Sequence, residues 1–375
     1  MNKKLLLTTF IVLLQLTSLY PQTPSFYHYN TSDGLASSTV YSVIQDKKGF
    51  IWFGALNGLN RFDGKKFITY RMNDGLNSNS ITSLTENEKG ELYIANHQKG
   101  INIFRNGKIE NFRTTLGGYK INLTYLTENK GVLYGFEYYG LIAIIEKSDD
   151  YLLRTLPVVV NRLMKTEDKK IHALTTKGIY RLENKKLEKL KIDGLPEENI
   201  YSSALKNDGS YLVGGNGIIY QIKNNRVVGS YSVKLFEENI VFNLLVDSHR
   251  NIWFSIKGKG FYLIHDGSKK IIDVGKKLGL ENTQINSLME DNEGNIWAAT
   301  YGKGVYCLTN LYIQSYTEND GLINNYINSI QKSESGKIII GTINGISVLD
   351  NGIIVPLKYN SGNVITGYIN NIIDS

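Results

Sequence analysis

The residues with which this sequence could do chemistry are few and scattered. Its histidines, His28, His97, His172, His249 and His265, stand singly, and the one cysteine, Cys307, lies in an apolar run. A single cysteine allows no disulfide within the chain, and Cys307 reads as a small buried hydrophobe. No His, Cys, Asp and Glu set keeps metal-ligand spacing. No phosphate-cradling glycine loop opens a helix. What recurs is a phrase, DKKGFIWFGALNGLNRF, DSHRNIWFSIKGKGFYLI and DNEGNIWAATYGKGVYCL, headed by Asp46, Asp247 and Asp291. An acid before a tight polar turn accepts hydrogen bonds from the turn's own N–H groups. The short inserts before the closing glycine are different. They hold amides, lysines and tyrosines, which suit sugar hydroxyls, carboxylates and pyranose faces.

These inserts sit on a repeat that runs the whole length. The tryptophan position recurs as Trp52, Tyr93, Tyr134, His172, Leu212, Trp253, Trp297 and Ile339, spaced 41, 41, 38, 40, 41, 44 and 42 residues apart. A second marker keeps step with it: Gly58, Gly100, Gly140, Gly178, Gly217, Gly260, Gly304 and Gly345. Each unit divides into four short β-like pieces, in the first unit STVYSVIQ, FIWFGA, LNRF and KKFITY, joined by turn residues. Four strands in a period of about 40 mark a β-propeller blade. No unit sustains the 3.6-residue apolar period of a helix. The expected fold is all-β: a β-propeller of four-stranded antiparallel blades. About seven blades would fill residues 23–310, and residues 311–375 would begin a second, incomplete ring; a single eight-bladed ring is the alternative.

In such a fold Trp52, Trp253 and Trp297 lie in second strands, where blades pack face to face, and the position also takes Tyr, His, Leu and Ile. Bulk is what is reused, so a packing role is expected for them. The loops between second and third strands share one face with those from an outermost strand to the next innermost one. That face collects Asn57, Asn96, His97, Gln98, Lys99, Tyr138, Tyr139, Thr176, Lys177, Asn216, Lys257, Lys259, Tyr301, Lys303 and Asn344. His97, Lys99, Tyr138, Tyr139, Lys257, Tyr301 and Lys303 are the expected ligand-binding residues; solvated turns are the plain alternative.

The ends carry further expectations. Lys3 and Lys4 precede the apolar run Leu5–Leu16, the pattern of an export signal over residues 1–22, too short to span a bilayer comfortably. The net charge of +7 falls to about +5 without those two lysines, and the remaining lysines form no dense run, so nucleic acid is not an expected partner. FYHY (26–29) matches the outermost-strand piece FITY (67–70) and can pair with the last blade to close the ring. SGNVITGYINNIIDS (361–375) starts a ninth unit and stops, as a truncated chain or gene fragment would.

The order DGL, apolar strand, D-x-x-G-x-I-W-x-G, N-G-[IL], F-x-x-Y resembles the two-component regulator propeller repeat. It is fullest in DGLASSTVYSVIQDKKGFIWFGALNGLNRFDGKKFITY (33–70) and recurs with losses over about residues 26–375. The third unit lacks DGL, and the fourth, EDKKIHAL, lacks the turn glycine. The resemblance implies a periplasmic sensor region of a hybrid two-component system or sensor histidine kinase. It further implies an oligosaccharide or similar small ligand, a homodimer through the propeller domains, no cofactor, and membrane attachment and kinase activity supplied only by a C-terminal region beyond these 375 residues. A propeller glycan lyase or hydrolase and a protein-interaction scaffold are the alternatives. Against the enzyme, the histidines occupy different strand positions, and Arg61 and Arg181 fall in third strands, away from the face.

Overall fold

The structure, a computed structural model, describes residues 25–116, 119–137, 141–145, 151–154, 158–236, 238–309, 316–350, 353–359 and 361–372. The expected leader lies outside them. The chain divides into two compact units, Thr23–Leu311 and a second holding Tyr312–Ser375. The first opens with strand β1 (Ser25–Tyr29), followed by β2 (Val40–Gln45), β3 (Ile51–Ala55), β4 (Gly58–Phe62) and β5 (Phe67–Tyr70), which form one antiparallel sheet in the order β2-β3-β4-β5. The pattern repeats, giving seven four-stranded sheets among the described residues of this unit. The innermost strands after β2 are Ile81–Glu86, Tyr125–Asn129, Val160–Lys165, Ser202–Leu205, Val241–Val246 and Ile285–Glu290. Each lies beside the next, and the last lies beside β2. The fold is a β-propeller. The second unit holds one more such sheet, from Ile327–Lys332 to Ile353–Pro356.

Ring closure is built from both ends of the first unit. The seventh sheet takes its outermost strand from the start of the chain: β1 pairs antiparallel with Val305–Thr309, in register from Ser25 opposite Thr309 to Tyr29 opposite Val305. Tyr29 stacks on Trp297 at 6.0 Å, and His28 Nε2 bonds the Lys303 carbonyl at 2.8 Å. Nearer the axis, a bulge shifts the register at the start of most innermost strands, as between Val40 and Ser42 or Ile285 and Ser287. The extra residue turns its side chain onto the following sheet. Thr82 Oγ1 donates to the Leu123 carbonyl, Asn161 Nδ2 to Ile200 and Asn286 Nδ2 to Val40. The last of these bonds joins the seventh sheet to the first.

Second strands are covered on both faces, so β3 is buried along its whole length. Trp52 and Trp253 are each 1% exposed and Trp297 4%. Each packs toward the following sheet: Trp52 against Ile81 and Leu92, Trp253 against Ile285 and Ile296, Trp297 against Ile51 and Phe53. A buried indole N–H needs an acceptor. It finds the aspartate six residues earlier, with Trp52 Nε1 donating to Asp46 at 2.7 Å, Trp253 to Asp247 at 2.8 Å and Trp297 to Asp291 at 2.7 Å. The second carboxylate oxygen holds the turn, accepting from the backbone N–H groups two and four residues on, Glu293 and Asn295 in the case of Asp291. One carboxylate therefore fixes both a hairpin and the large side chain between two sheets.

The repeated glycine also has a steric cause. At Gly304 (φ +72°) an added Cβ would come within 2.1 Å of the Tyr29 carbonyl oxygen, and at Gly100 (φ +81°) within 2.1 Å of that of Arg113. The outermost strand leaves its sheet directly over this position, so no side chain fits and the φ itself is unfavourable for one. The DGL segment is likewise architectural. Asp33, Asp74 and Asp320 each accept the backbone N–H three residues earlier at 2.8 Å, closing a short 3₁₀ turn that ends on glycine in the left-handed region. Buried third-strand asparagines tie these turns down: Asn60 bonds the Gly34 carbonyl and the Ala36 N–H, and Asn102 bonds Gly75 and Asn77.

In the fourth sheet the tryptophan position is His172, 8% exposed, and the aspartate position is Thr166. Burial holds the imidazole well below its ordinary value, at about 4; the Asp168 carboxylate opposes this, while Lys170 and Arg181 add to it. Two predictions follow from these packing units. Replacing Asp291 by Ala should cost about 3 kcal/mol, because it strands a buried indole N–H and uncaps a turn. Combined with Trp297→Phe, which removes that N–H, the loss should fall short of additivity by about 1–2 kcal/mol in denaturant titrations; strict additivity would refute the linkage. For His172, the folded state binds fewer protons than the unfolded one between pH 6.5 and about 4. Stability should therefore be complete above pH 6.5 and decline by about 3 kcal/mol as the pH falls through that window. His172→Gln should remove this component of the pH–stability curve. Asp168, held down to about 2 by Lys170 and Thr166, acts only at lower pH.

Candidate functional site

The loops expected to share a face interlock along it. The Gly304 N–H donates to the Ser38 carbonyl at 2.7 Å, Lys257 N–H to Ile240 at 3.0 Å, His97 N–H to Ser80 at 2.8 Å and Gly178 N–H to Glu198 at 2.9 Å. Each bond joins the turn after a second strand to a loop leading into an innermost strand. Backbone bonds thus join the loops of the face, and some side chains add to them, as Asn216 Oδ1 does in accepting from the Asn239 N–H at 3.2 Å. Asn57, His97, Gln98, Lys99, Lys177, Asn216, Lys257, Tyr301 and Lys303 are exposed there, Tyr301 to 61%; Asn344, also exposed, belongs to the second unit.

They are distributed around the face without being gathered. Lys303 Nζ bonds the Gly279 carbonyl at 2.7 Å, Lys259 Nζ lies 5.4 Å over the Phe236 ring, and Tyr301 stands near enough to Tyr41 to add to the rise that burial causes in the Tyr41 phenol. Among the described residues no hydrogen bond or ion pair joins His97, Lys99, Lys257, Tyr301 and Lys303 to one another. Tyr138 and Tyr139 lie outside the described residues. Asn96 does not reach the face: it is fully buried, donating to the Ile94 carbonyl and to Asn102 Oδ1, because its position ends a second strand instead of beginning the loop. Cys307 is 3% exposed, and burial, helped by Asp291 and Glu293, pushes its thiol up to about 12, so it is no nucleophile at neutral pH. No group of three His, Cys, Asp or Glu residues converges among the described residues.

A concavity that sequence reasoning passed over lies between the fourth and fifth sheets, at the opposite end from the face loops. It has a volume of about 460 Å³. Its floor is His172 and Tyr211, whose rings meet edge-on with centroids 6.5 Å apart, together with Thr166 and Ser210. Its rim is Glu167, Asp168, Lys170, Arg181, Asn224 and Asn225. Lys170 pairs with Asp168 at 2.6 Å, and Arg181 pairs with Glu183 and Glu188 at 3.0 and 3.1 Å. The signal was present in the fourth unit, which replaces the aspartate and tryptophan of the phrase by Thr166 and His172.

A family profile described as "Two component regulator propeller" matches residues 34–57 and 279–302. No protein of curated function matches the sequence. Among solved structures, one described as the extracellular domain of a hybrid two component system, BT3049 of B. thetaiotaomicron, superposes with a TM-score of 0.63 at 20% identity, covering 92% of this chain and 52% of that one. A second extracellular domain from the same organism, BT4673, gives 0.61 at 18%, covering 92% and 49%. Virginiamycin B lyase from Staphylococcus aureus gives 0.62 at 15% identity, covering 76% of this chain and 98% of the lyase. The chain thus spans about half the length of these two extracellular domains. At these identities the superpositions speak for the fold. Two stretches of this chain thus match the regulator-propeller repeat, and the superpositions show the β-propeller fold.

Proposed function

We propose that this chain is the ligand-sensing propeller of a two-component signalling system, exported by the 1–22 leader and working outside the cytoplasm. In this reading residues 23–310 are one seven-bladed ring and residues 311–375 the start of a second. The observation that carries the proposal is the match to the regulator-propeller pattern at residues 34–57 and 279–302. Support comes from the extracellular domains of such systems that share the fold and from exposed polar side chains on one face, Tyr301 and Lys303 among them. The ligand is an oligosaccharide or similar small molecule, held by His97, Lys99, Lys257, Tyr301, Lys303 and the Tyr138–Tyr139 pair, and the output lies in a kinase region on the sensor's C-terminal side. Ligand binding shifts a dimer of such sensors only if it binds one arrangement better than another.

The lyase reading has one specific observation in its favour, the superposition on virginiamycin B lyase. Incubation with oligosaccharide pools, followed by both thermal unfolding and product analysis, separates the readings. A bound ligand at a hundred times its dissociation constant should stabilise the fold by about 2.7 kcal/mol. Tyr301→Ala with Lys303→Ala should abolish that shift without changing the unliganded melting temperature, and no product should form. Product formation lost on changing a face residue would establish an enzyme instead. Absence of any stabilising oligosaccharide, with a protein partner retained on the immobilised chain, would establish a scaffold.

A further inference from the structure

One arginine crosses the inside of the ring. Arg162 belongs to the innermost strand of the fourth sheet, yet its Nη2 donates to Asn243 Oδ1 on the sixth at 3.2 Å. Its guanidinium also lies 5.5 Å from the ring centre of Tyr125 on the third. A side chain of the fourth sheet reaches the sixth only by passing the inner edge of the fifth, so the guanidinium stands in the central channel. The three residues hold equivalent places. Each lies opposite the residue two positions after the tryptophan position: Tyr125 opposite Phe136, Arg162 opposite Leu174 and Asn243 opposite Ser255. The other four sheets put Ser42, Ser83, Ser202 and Ser287 at this level. One tier of the channel therefore carries four hydroxyls, a phenol, an amide and a single charge.

That charge has no counterion in the protein. Arginines farther from the axis take carboxylates, Arg105 with Glu110, Arg181 with Glu188 and Arg226 with Asp193. For Arg162 the bond to Asn243 is the one hydrogen bond among the described residues, and no carboxylate lies within ion-pair distance. A guanidinium has five N–H donors, so most of them stay open to the channel, where Arg162 is only half-buried. The acids of the innermost strands, Glu86, Glu128 and Glu290, come three residues further along, about 10 Å at the rise of a strand. They already accept the backbone N–H groups of Lys47, Gly131 and Ser248.

We infer that this tier is a binding site for a small oxyanion, a carboxylate or phosphate group, held between the Arg162 guanidinium and the Ser42 and Ser287 hydroxyls. In a ring of seven sheets the first and seventh lie across from the fourth. Ser42 and Ser287 are half-buried, and among the described residues no hydrogen bond takes up their hydroxyls. The rest of the tier is committed to neighbouring sheets: Ser83 Oγ accepts the Leu126 N–H, Ser202 Oγ donates to Val241 and Asn243 Nδ2 to Ile285. What stays open is a set of donors, a planar fork on one side and two hydroxyls on the other. An oxyanion accepts from both, and from the fork through two parallel bonds. A cation would be repelled by the one charge present, and a neutral ligand would leave that charge uncompensated. The site shares no residue with the face loops and does not rest on the ligand reading given to them.

The test is a titration of the full chain, labelled with ¹⁵N-arginine, with sodium phosphate, sulfate and acetate, the ionic strength held constant with sodium chloride. It follows the Nε–H resonance of Arg162, assigned with Arg162→Lys, together with the melting temperature. At least one oxyanion should move that resonance saturably and raise the melting temperature, and chloride should do neither. Saturation by phosphate and sulfate alone would support the inference with a phosphate-like ligand, and saturation by acetate alone would support it with a carboxylate. Arg162→Gln should lose the thermal shift outright. Ser42→Ala with Ser287→Ala should weaken binding about tenfold, the worth of one hydrogen bond. This second variant keeps the guanidinium and tests the site even where Arg162→Gln fails to fold. Tyr301→Ala with Lys303→Ala should leave the Arg162 shift intact, so a failure of the face reading does not touch this result. No saturable shift with any oxyanion would overturn the inference and mark Arg162 as a hydrated brace between sheets. Unchanged affinity in Arg162→Gln or in the double serine variant, or equal binding of chloride, would also overturn it.

Discussion

A sheet buried on both faces has no route to water for the polar atoms of its second strand, and the architecture turns on how that constraint is met. The large side chain that fills the space to the next sheet carries an N–H that must be paired inside. In three units the answer is the aspartate that heads the preceding turn. The same carboxylate holds two backbone N–H groups of its hairpin, so turn geometry and inter-sheet packing are set by one residue. Asp247 and Asp291 are themselves 2% and 7% exposed, and a buried carboxylate is tolerable only when its lone pairs are taken up in this way. Removing either partner strands the other, which is why the pair behaves as a unit.

A second layer of polar bonds runs nearer the axis. The bulge in the innermost strand frees one side chain to reach the next sheet's backbone, and Asn286 to Val40 carries this across the closure. Together with β1 as the fourth strand of the seventh sheet, it closes the ring of sheets, whose remaining edges are short. Backbone bonds also secure the face loops, so exposed side chains such as Tyr301 and Lys257 can vary with little cost to the fold. Function can then be placed there, as in other rigid scaffolds that carry binding loops.

Much of this was legible in one dimension. The period near 40, the four pieces per unit and the left-handed turn glycines follow from local chemistry, and they led to a propeller. The reason for the repeated glycine was less visible: nothing near Gly304 in sequence shows that the Tyr29 carbonyl passes over it, 275 positions away (304 − 29). Asn96 was misplaced by one position, since a period locates loops only to within a residue or so and that residue decides between burial and exposure. The cavity at His172 and Tyr211 went unread because the two side chains belong to adjacent units, and only packing shows them facing one gap.

By itself the sequence determined the repeat, the strand and turn chemistry of each unit, and to within a residue where the face loops fall, because these depend on neighbours a few positions apart. Tertiary structure alone decided that the acid of the phrase DNEGNIWAATYGKG is the indole's partner, and that the Tyr29 carbonyl passes over Gly304. Each of those results depends on the distance between groups in space, and on whether water can reach them, which a linear order of residues does not contain.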